Sequence, residues 1–156
     1  MREKFIHPNR ALFMSSNVTL LAIFAENRTG QLAHVTRILA DAGINIRWVI
    51  IASSDAFGVV KLLVDNTDLA YRKLKEDGLP VSRVEVLAIE VDDKPGGLLE
   101  VADALSRSRI NLENASGFVA NGRAVLLIEV KELERARQAL ESVPLRLLSQ
   151  AETLRL

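Results

Sequence analysis

The chain has no cysteine, so disulfides, thiolate metal sites and a cysteine nucleophile are excluded. It has no excess of either charge: 20 Lys and Arg stand against 20 Asp and Glu. Divided at residues 17 and 83, the three segments carry net charges of +2, +1 and −3. None has the basic footprint that nucleic-acid binding needs, so no nucleic-acid partner is expected. No apolar run reaches the length that spans a bilayer, and no membrane partner is expected. The opening residues, Met1 to Pro8, are charged and interrupted by proline, unlike a secretory leader. A cytoplasmic protein is the expectation. Aromatics are few, at five Phe, one Trp and one Tyr. Within the predicted third strands, the stretches Gly58 to Val64 and Ala124 to Val130 hold none, which argues against a base-stacking RNA module. The only histidines are His7, in a predicted arm, and His34, off the apolar face of a predicted helix. Neither reads as a metal ligand. Asp92-Asp93 reads as solvated loop acid. Ser53-Ser54 has no histidine base at a suggestive spacing. No catalytic residue, cofactor or metal is expected.

What is present is a repeat. Asp93-Lys94-Pro95-Gly96-Gly97-Leu98 follows a hydrophobic strand and opens an amphipathic helix. Asn27-Arg28-Thr29-Gly30-Gln31-Leu32 does the same 66 residues earlier. Across residues 18–74 and 84–140, 14 of 57 positions are identical at that offset. They include Gly30/Gly96, Leu32/Leu98, Val35/Val101, Leu39/Leu105 and Asn45/Asn111. The leucines and valines are core positions in any duplicated fold. The glycines and asparagines are not needed to fill a core. A glycine at a strand-to-helix turn lets backbone approach a neighbour, and the helix N-terminus behind it favours an anion.

The pattern predicts an arm over residues 1–17, one unit over 18–83 and a second over 84–156. In unit one, strands are expected at Val18–Ala25, Ile44–Ser53, Phe57–Val64 and Val81–Val86. Helices are expected over Gly30–Ala42 and Asp68–Glu76. The second series ends its first strand at Val91, places a hairpin at Asn121-Gly122 and runs its last strand from Leu145. The order βαββαβ is α+β and ferredoxin-like: an antiparallel four-stranded sheet with both helices on one face. From Val81 to Val91 there is no turn signal, which predicts one nearly continuous strand joining the units. Units paired side by side, or across two chains, would make an eight-stranded sheet, and a homodimer is expected. Position 109, opposite Gly43, is Arg. If that backbone is left-handed, the side chain costs about 1 kcal/mol.

The strand, Asp-Lys-Pro-Gly-Gly-Leu, helix, Ile-Asn-Leu series resembles the ACT domain. Glu26 to Gly30, followed by Gly43-Ile44-Asn45-Ile46, looks like a second copy, with threonine where that family usually has proline. The resemblance covers about residues 18–150 and implies a stand-alone tandem without a catalytic domain. It further implies a non-enzymatic regulatory protein that binds an amino acid between paired modules. The ligand would lie against the glycine loop of one and the second-strand start of the other. The implied contacts are Asn27, Arg28, Thr29, Gly30, Gln31 and Leu32 of one loop, and Asp93, Lys94, Pro95, Gly96, Gly97 and Leu98 of the other. Asn45 and Asn111 come from the strands. Under an approximate two-fold, the first loop faces Asn111 and the second faces Asn45. A regulated enzyme is the further partner this implies. The alternative is a pure assembly module with vestigial sites.

Overall fold

The computed structural model describes residues 17–156. Strand β1 (Asn17–Glu26) is followed by α1 (Gln31–Asp41), β2 (Ile46–Ser54), β3 (Phe57–Val64) and α2 (Thr67–Glu76). Then come β4 (Val81–Val91), α3 (Gly97–Arg107), β5 (Leu112–Ala120), β6 (Arg123–Val130) and α4 (Leu133–Glu141). The chain closes with β7 (Arg146–Leu148) and a short α5 (Gln150–Thr153). The expected arm lies outside the described residues, except Asn17, which opens β1.

All seven strands form one antiparallel sheet, ordered β2-β3-β1-β4-β6-β5, with β7 also on β4. The expected count was eight. The difference lies in β4, one unbroken strand of 11 residues that serves both units. Its first half pairs with β1, from Ile23↔Val81 to Asn17↔Leu87. Its second half pairs with β6 on one side and β7 on the other. Each unit therefore has the ferredoxin order, with the last strand of the first continuing as the first strand of the second. A run of 11 residues without Gly or Pro, Val81 to Val91, gives the chain nothing with which to turn.

The repeat holds to the residue. Ala25 pairs with Gly58 as Val91 pairs with Ala124. Both second strands carry a register shift after their first residue, at Ile46/Trp48 and at Leu112/Asn114. Three cores follow. Val35 and Leu39 of α1, with Ala70 and Leu74 of α2, bury against Leu21, Ile23 and Leu62. Val101 and Leu105 of α3, with Ala136 and Leu140 of α4, bury against Leu87, Ile89 and Ile128. The third core joins the units on the sheet's other face. There Val18, Leu20 and Leu63 meet Val86, Val125 and Leu127, and Leu154 and Leu156 pack on the rim. Lys61 and Glu129 form an ion pair between β3 and β6 beside it. The face without helices, which each unit leaves bare, is thus covered by the other unit and the C-terminal segment.

Candidate functional site

Both glycine loops end in the conformation their sequence calls for. Gly30 and Gly96 are left-handed, with φ of 88° and 98°, and each caps its helix without a side-chain hydrogen bond. A left-handed turn here sends the chain from strand to helix in a few residues, at no steric cost to glycine.

The two loops differ in what surrounds them. The first lines a half-open hollow of about 90 Å³, walled by Asn27, Arg28, Gln31 and Leu32 from the loop and helix. The opposite wall is Ala25 and Glu26 of β1, Ile51 and Ser53 of β2, and Gly58 and Val60 of β3. A broader cleft of about 490 Å³ adjoins it, reaching from Arg28 and Gln31 to Phe24, Phe57, Leu79 and Pro80. Both loop charges are exposed, and the Arg28 guanidinium lies 3.2 Å from the Glu26 carboxylate. Asn27 is tied to the β2–β3 turn: its N–H donates to the Ala56 carbonyl at 2.8 Å and its Nδ2 to that of Asp55 at 3.0 Å.

The second loop is drawn tight. A Cβ added at Gly97 would stand 2.4 Å from the Asp92 carbonyl oxygen. Only glycine fits there. Lys94 reaches back to Asp92 at 2.6 Å, and the hydrogen bond and charge of that carboxylate hold the ammonium pKa above its ordinary value. Asp93 and Pro95 are exposed.

Leu32 and Leu98, expected on the apolar helix faces, are 38% and 54% exposed. They lie in the first turn, where Leu32 borders the hollow and not the core.

The two asparagines stand apart from both loops. Asn45 sits just before β2, its N–H donating to Asp65 Oδ1 at 3.1 Å and its carbonyl accepting from the Asp65 N–H. Asn111 sits just before β5 and donates from Nδ2 to Glu113 Oε1 at 3.2 Å. The registers carry both to the level of the Thr19↔Glu85 pair, midway along the molecule. The loops are at its two ends, after Glu26 and after Val91. Along the strands, about seven residues, or roughly 23 Å, separate each loop from either asparagine. Within one chain, then, the structure does not bring the first loop to Asn111 or the second to Asn45.

The outer edges of β2 and β5 end the sheet unpaired within the chain. Val49 and Ile51 on β2 and Val119 on β5 are about half exposed or more. An antiparallel addition of β5 from a second chain to β2 would lay the start of that β5, with Asn111, beside Ser54 and the first loop.

Sequence reasoning named one side of the hollow and missed the other, Glu26, Ile51, Ser53, Gly58 and Val60. Their signal was in the repeat, as differences in size between equivalent positions. Among the described residues no cluster of acids and histidines could hold a metal, and no helix is long and apolar enough to cross a membrane.

A family model described as an ACT domain pair matches residues 16–155. The fold is similar to that of a protein from Bacteroides thetaiotaomicron, with a TM-score of 0.85 and 29% identity. That match covers 91% of this chain and 100% of the other. It is also similar to the ligand-free regulatory subunit of aspartate kinase from Thermus thermophilus (TM-score 0.56, 15% identity, 82% and 93% covered). Aspartokinase III of E. coli, in complex with aspartate and ADP, matches at a TM-score of 0.52 and 23% identity. There the likeness covers 81% of this chain and 31% of that one. The last two likenesses speak to the fold alone. No curated protein matches the sequence.

Proposed function

The chain belongs to the ACT domain pair family, and from that premise we propose that it is a regulatory protein that senses an amino acid. The ligand sits at the first glycine loop, and a second chain completes the site. The observation that supports this reading is the hollow beside Gly30. A free amino acid is a zwitterion with a short side chain. It needs donors for its carboxylate, acceptors for its ammonium and an apolar recess. The end of β1 supplies a glutamate, the loop an arginine and the α1 N-terminus, and Leu32, Ile51 and Val60 supply the recess.

The second chain docks edge to edge. The bulky Val49 and Ile51 on β2 suit the small Ala115 and Gly117 on β5, and β2–β5 pairing in both directions gives a homodimer. Asn111 of the second chain then faces Asn27 to Gln31, and Asn45 faces Asp93 to Gly97. The sites are unequal. Asp93 puts a carboxylate where the first loop has Asn27, and it repels a ligand carboxylate. Thr29 adds a hydroxyl that Pro95 lacks. The response passed to a regulated enzyme is limited by the ligand's difference in affinity between two assembly states.

Melting temperature measured against each of the twenty amino acids tests the reading. A ligand at 100 times its dissociation constant adds about 2.7 kcal/mol. For a chain of this length that is a rise of roughly 5–10 °C. Asn111→Ala should weaken binding about ten- to hundredfold, since it removes a hydrogen bond to a charged group worth roughly 1.5–3 kcal/mol. Asn45→Ala should leave the first site nearly intact. No shift with any amino acid would favour the alternative, an assembly module whose loops only pack strand against helix. The closed loop at Gly97 is what that reading expects at both sites.

A further inference from the structure

The two units share one backbone, so the side chains at equivalent positions show what each unit does with the same space. Around the first hollow stand Ala25, Ser53, Gly58 and Val60. At the same places the second unit has Val91, Val119, Ala124 and Leu126. All four are larger in the second unit. Among the lining residues of β2 and β3, Ile51 is the exception, replaced by Gly117, and that gap is taken: Leu126 Cδ2 stands 3.0 Å from where a Gly117 Cβ would be. Gln31 is replaced by Gly97, which lets the loop close onto the Asp92 carbonyl. Larger side chains at Val91, Ala124 and Leu126, and a loop drawn onto the Asp92 carbonyl, leave the second unit less room at the equivalent place.

We propose that each chain carries one ligand site, in the first unit, and that it selects an amino acid with a small aliphatic side chain lodged between Ala25, Ile51, Gly58 and Val60. This rests on the amino-acid-sensing reading and deepens it. The hollow, at about 90 Å³, is far smaller than the adjoining cleft of about 490 Å³, and its strand side is Ala25, Ile51, Gly58 and Val60. These short apolar walls suit a small branched side chain better than a benzyl ring, which would reach out into the cleft. No cation or acid faces the recess from β2 or β3; Ile51, Ser53, Gly58 and Val60 are uncharged. The charges are at the mouth, where Glu26 and Arg28 are paired. A zwitterion opposite them matches each charge with its complement.

Calorimetric titration of the whole chain with valine, leucine, isoleucine and phenylalanine tests the proposal. The expected result is one aliphatic ligand per chain, with phenylalanine at least tenfold weaker. Ala25→Val and Val60→Leu each import the second unit's residue, and each should weaken binding tenfold or more. Leu126→Val should change nothing. Melting of the unliganded variants shows whether they fold, and either filling variant suffices if the other does not. Two ligands per chain, phenylalanine binding as tightly as valine, or filling variants with unchanged affinity would overturn this inference while leaving the sensing reading in place. Silence from all twenty amino acids in thermal shift would overturn both.

Discussion

Arg109 holds a left-handed backbone, φ 55°, where its counterpart Gly43 has φ 69°. The turn after α3 is the same turn as after α1, yet it carries a full side chain. Its neighbour's carbonyl is already satisfied: Arg135 donates to the Ser108 oxygen at 2.9 Å. Arg109→Gly should therefore relieve strain without costing a contact. Set against the looser unfolded chain that glycine brings, the gain is at most about 0.5 kcal/mol. That corresponds to a rise in melting temperature of at most about 2 °C by scanning calorimetry. Gly97 is the opposite case. Gly97→Ala should cost about 1–3 kcal/mol, because the Asp92 carbonyl cannot retreat without moving the end of β4. Guanidinium titration of both variants against wild type reads the two signs directly. Both positions were marked by the sequence. The Gly43/Arg109 mismatch was visible as a broken identity in the repeat. Gly97 was read with Gly96 as one motif, and only the backbone geometry separates a glycine that turns from one that yields room.

Among the elements, the first four helices and the first six strands were legible because their apolar residues recur at clean periods bounded by Gly, Pro and Asn. Strand β4 was legible through an absence, the missing turn between Val81 and Val91. The last strand was expected to run on from Leu145. Instead β7 stops at Leu148 and α5 begins. The signal lay in Ser149-Gln150-Ala151-Glu152, a serine followed three residues later by glutamate. Ser149 N–H and Oγ both donate to Glu152 Oε2, at 2.8 and 2.9 Å, and Glu152 N–H donates to Ser149 Oγ at 3.2 Å. The serine's backbone N–H, then its hydroxyl, hold the Glu152 pKa below its ordinary value, with Arg146 adding a charge. A carboxylate depressed in this way stabilises the fold fully above its unfolded value. That contribution fades as pH falls through the lower, folded value. In acid below about pH 4.5, α5 should loosen and release Leu154 and Leu156 from the third core. Hydrogen-exchange protection of the Leu154 amide, which donates to the Gln150 carbonyl, reports it. Protection should fall on acidification in wild type, and Glu152→Gln should already be low at neutral pH.

For the whole molecule, the open edges of β2 and β5 are the exposed ends of an otherwise complete sheet, and edges of that kind invite pairing. The expected solution state is a dimer at twice 17.2 kDa, measured by light scattering at micromolar concentration. Val49→Lys places a charge on the β2 edge away from the hollow, and it should shift the mass toward the monomer. If binding needs Asn111 from a second chain, the same variant should lose ligand affinity although every residue of its own hollow is intact. A monomeric wild type that still binds would reject the edge-to-edge site. That assembly could not be read from the sequence, because the repeat says which positions are equivalent and not which of them meet.

One strand shared by two units also sets an order of events in time. Asn17 pairs with Leu87, 70 residues later, so β1 waits with one side unpaired until β4 has been made. When β4 arrives it completes the first unit's part of the sheet and starts the second unit's in the same act. Such distant pairing is slow to form, since a long loop must close before any contact stabilises it. A nascent chain carrying only the first unit's helices and strands β1 to β3 would stay exposed to the wrong partners. Cutting the protein at residue 84 should yield two halves that do not fold alone, each left with half a strand. The intact chain should melt in a single calorimetric peak, with van't Hoff and calorimetric enthalpies in agreement. Two resolved peaks would mean that β4 can break in the middle, and that the halves are separable after all.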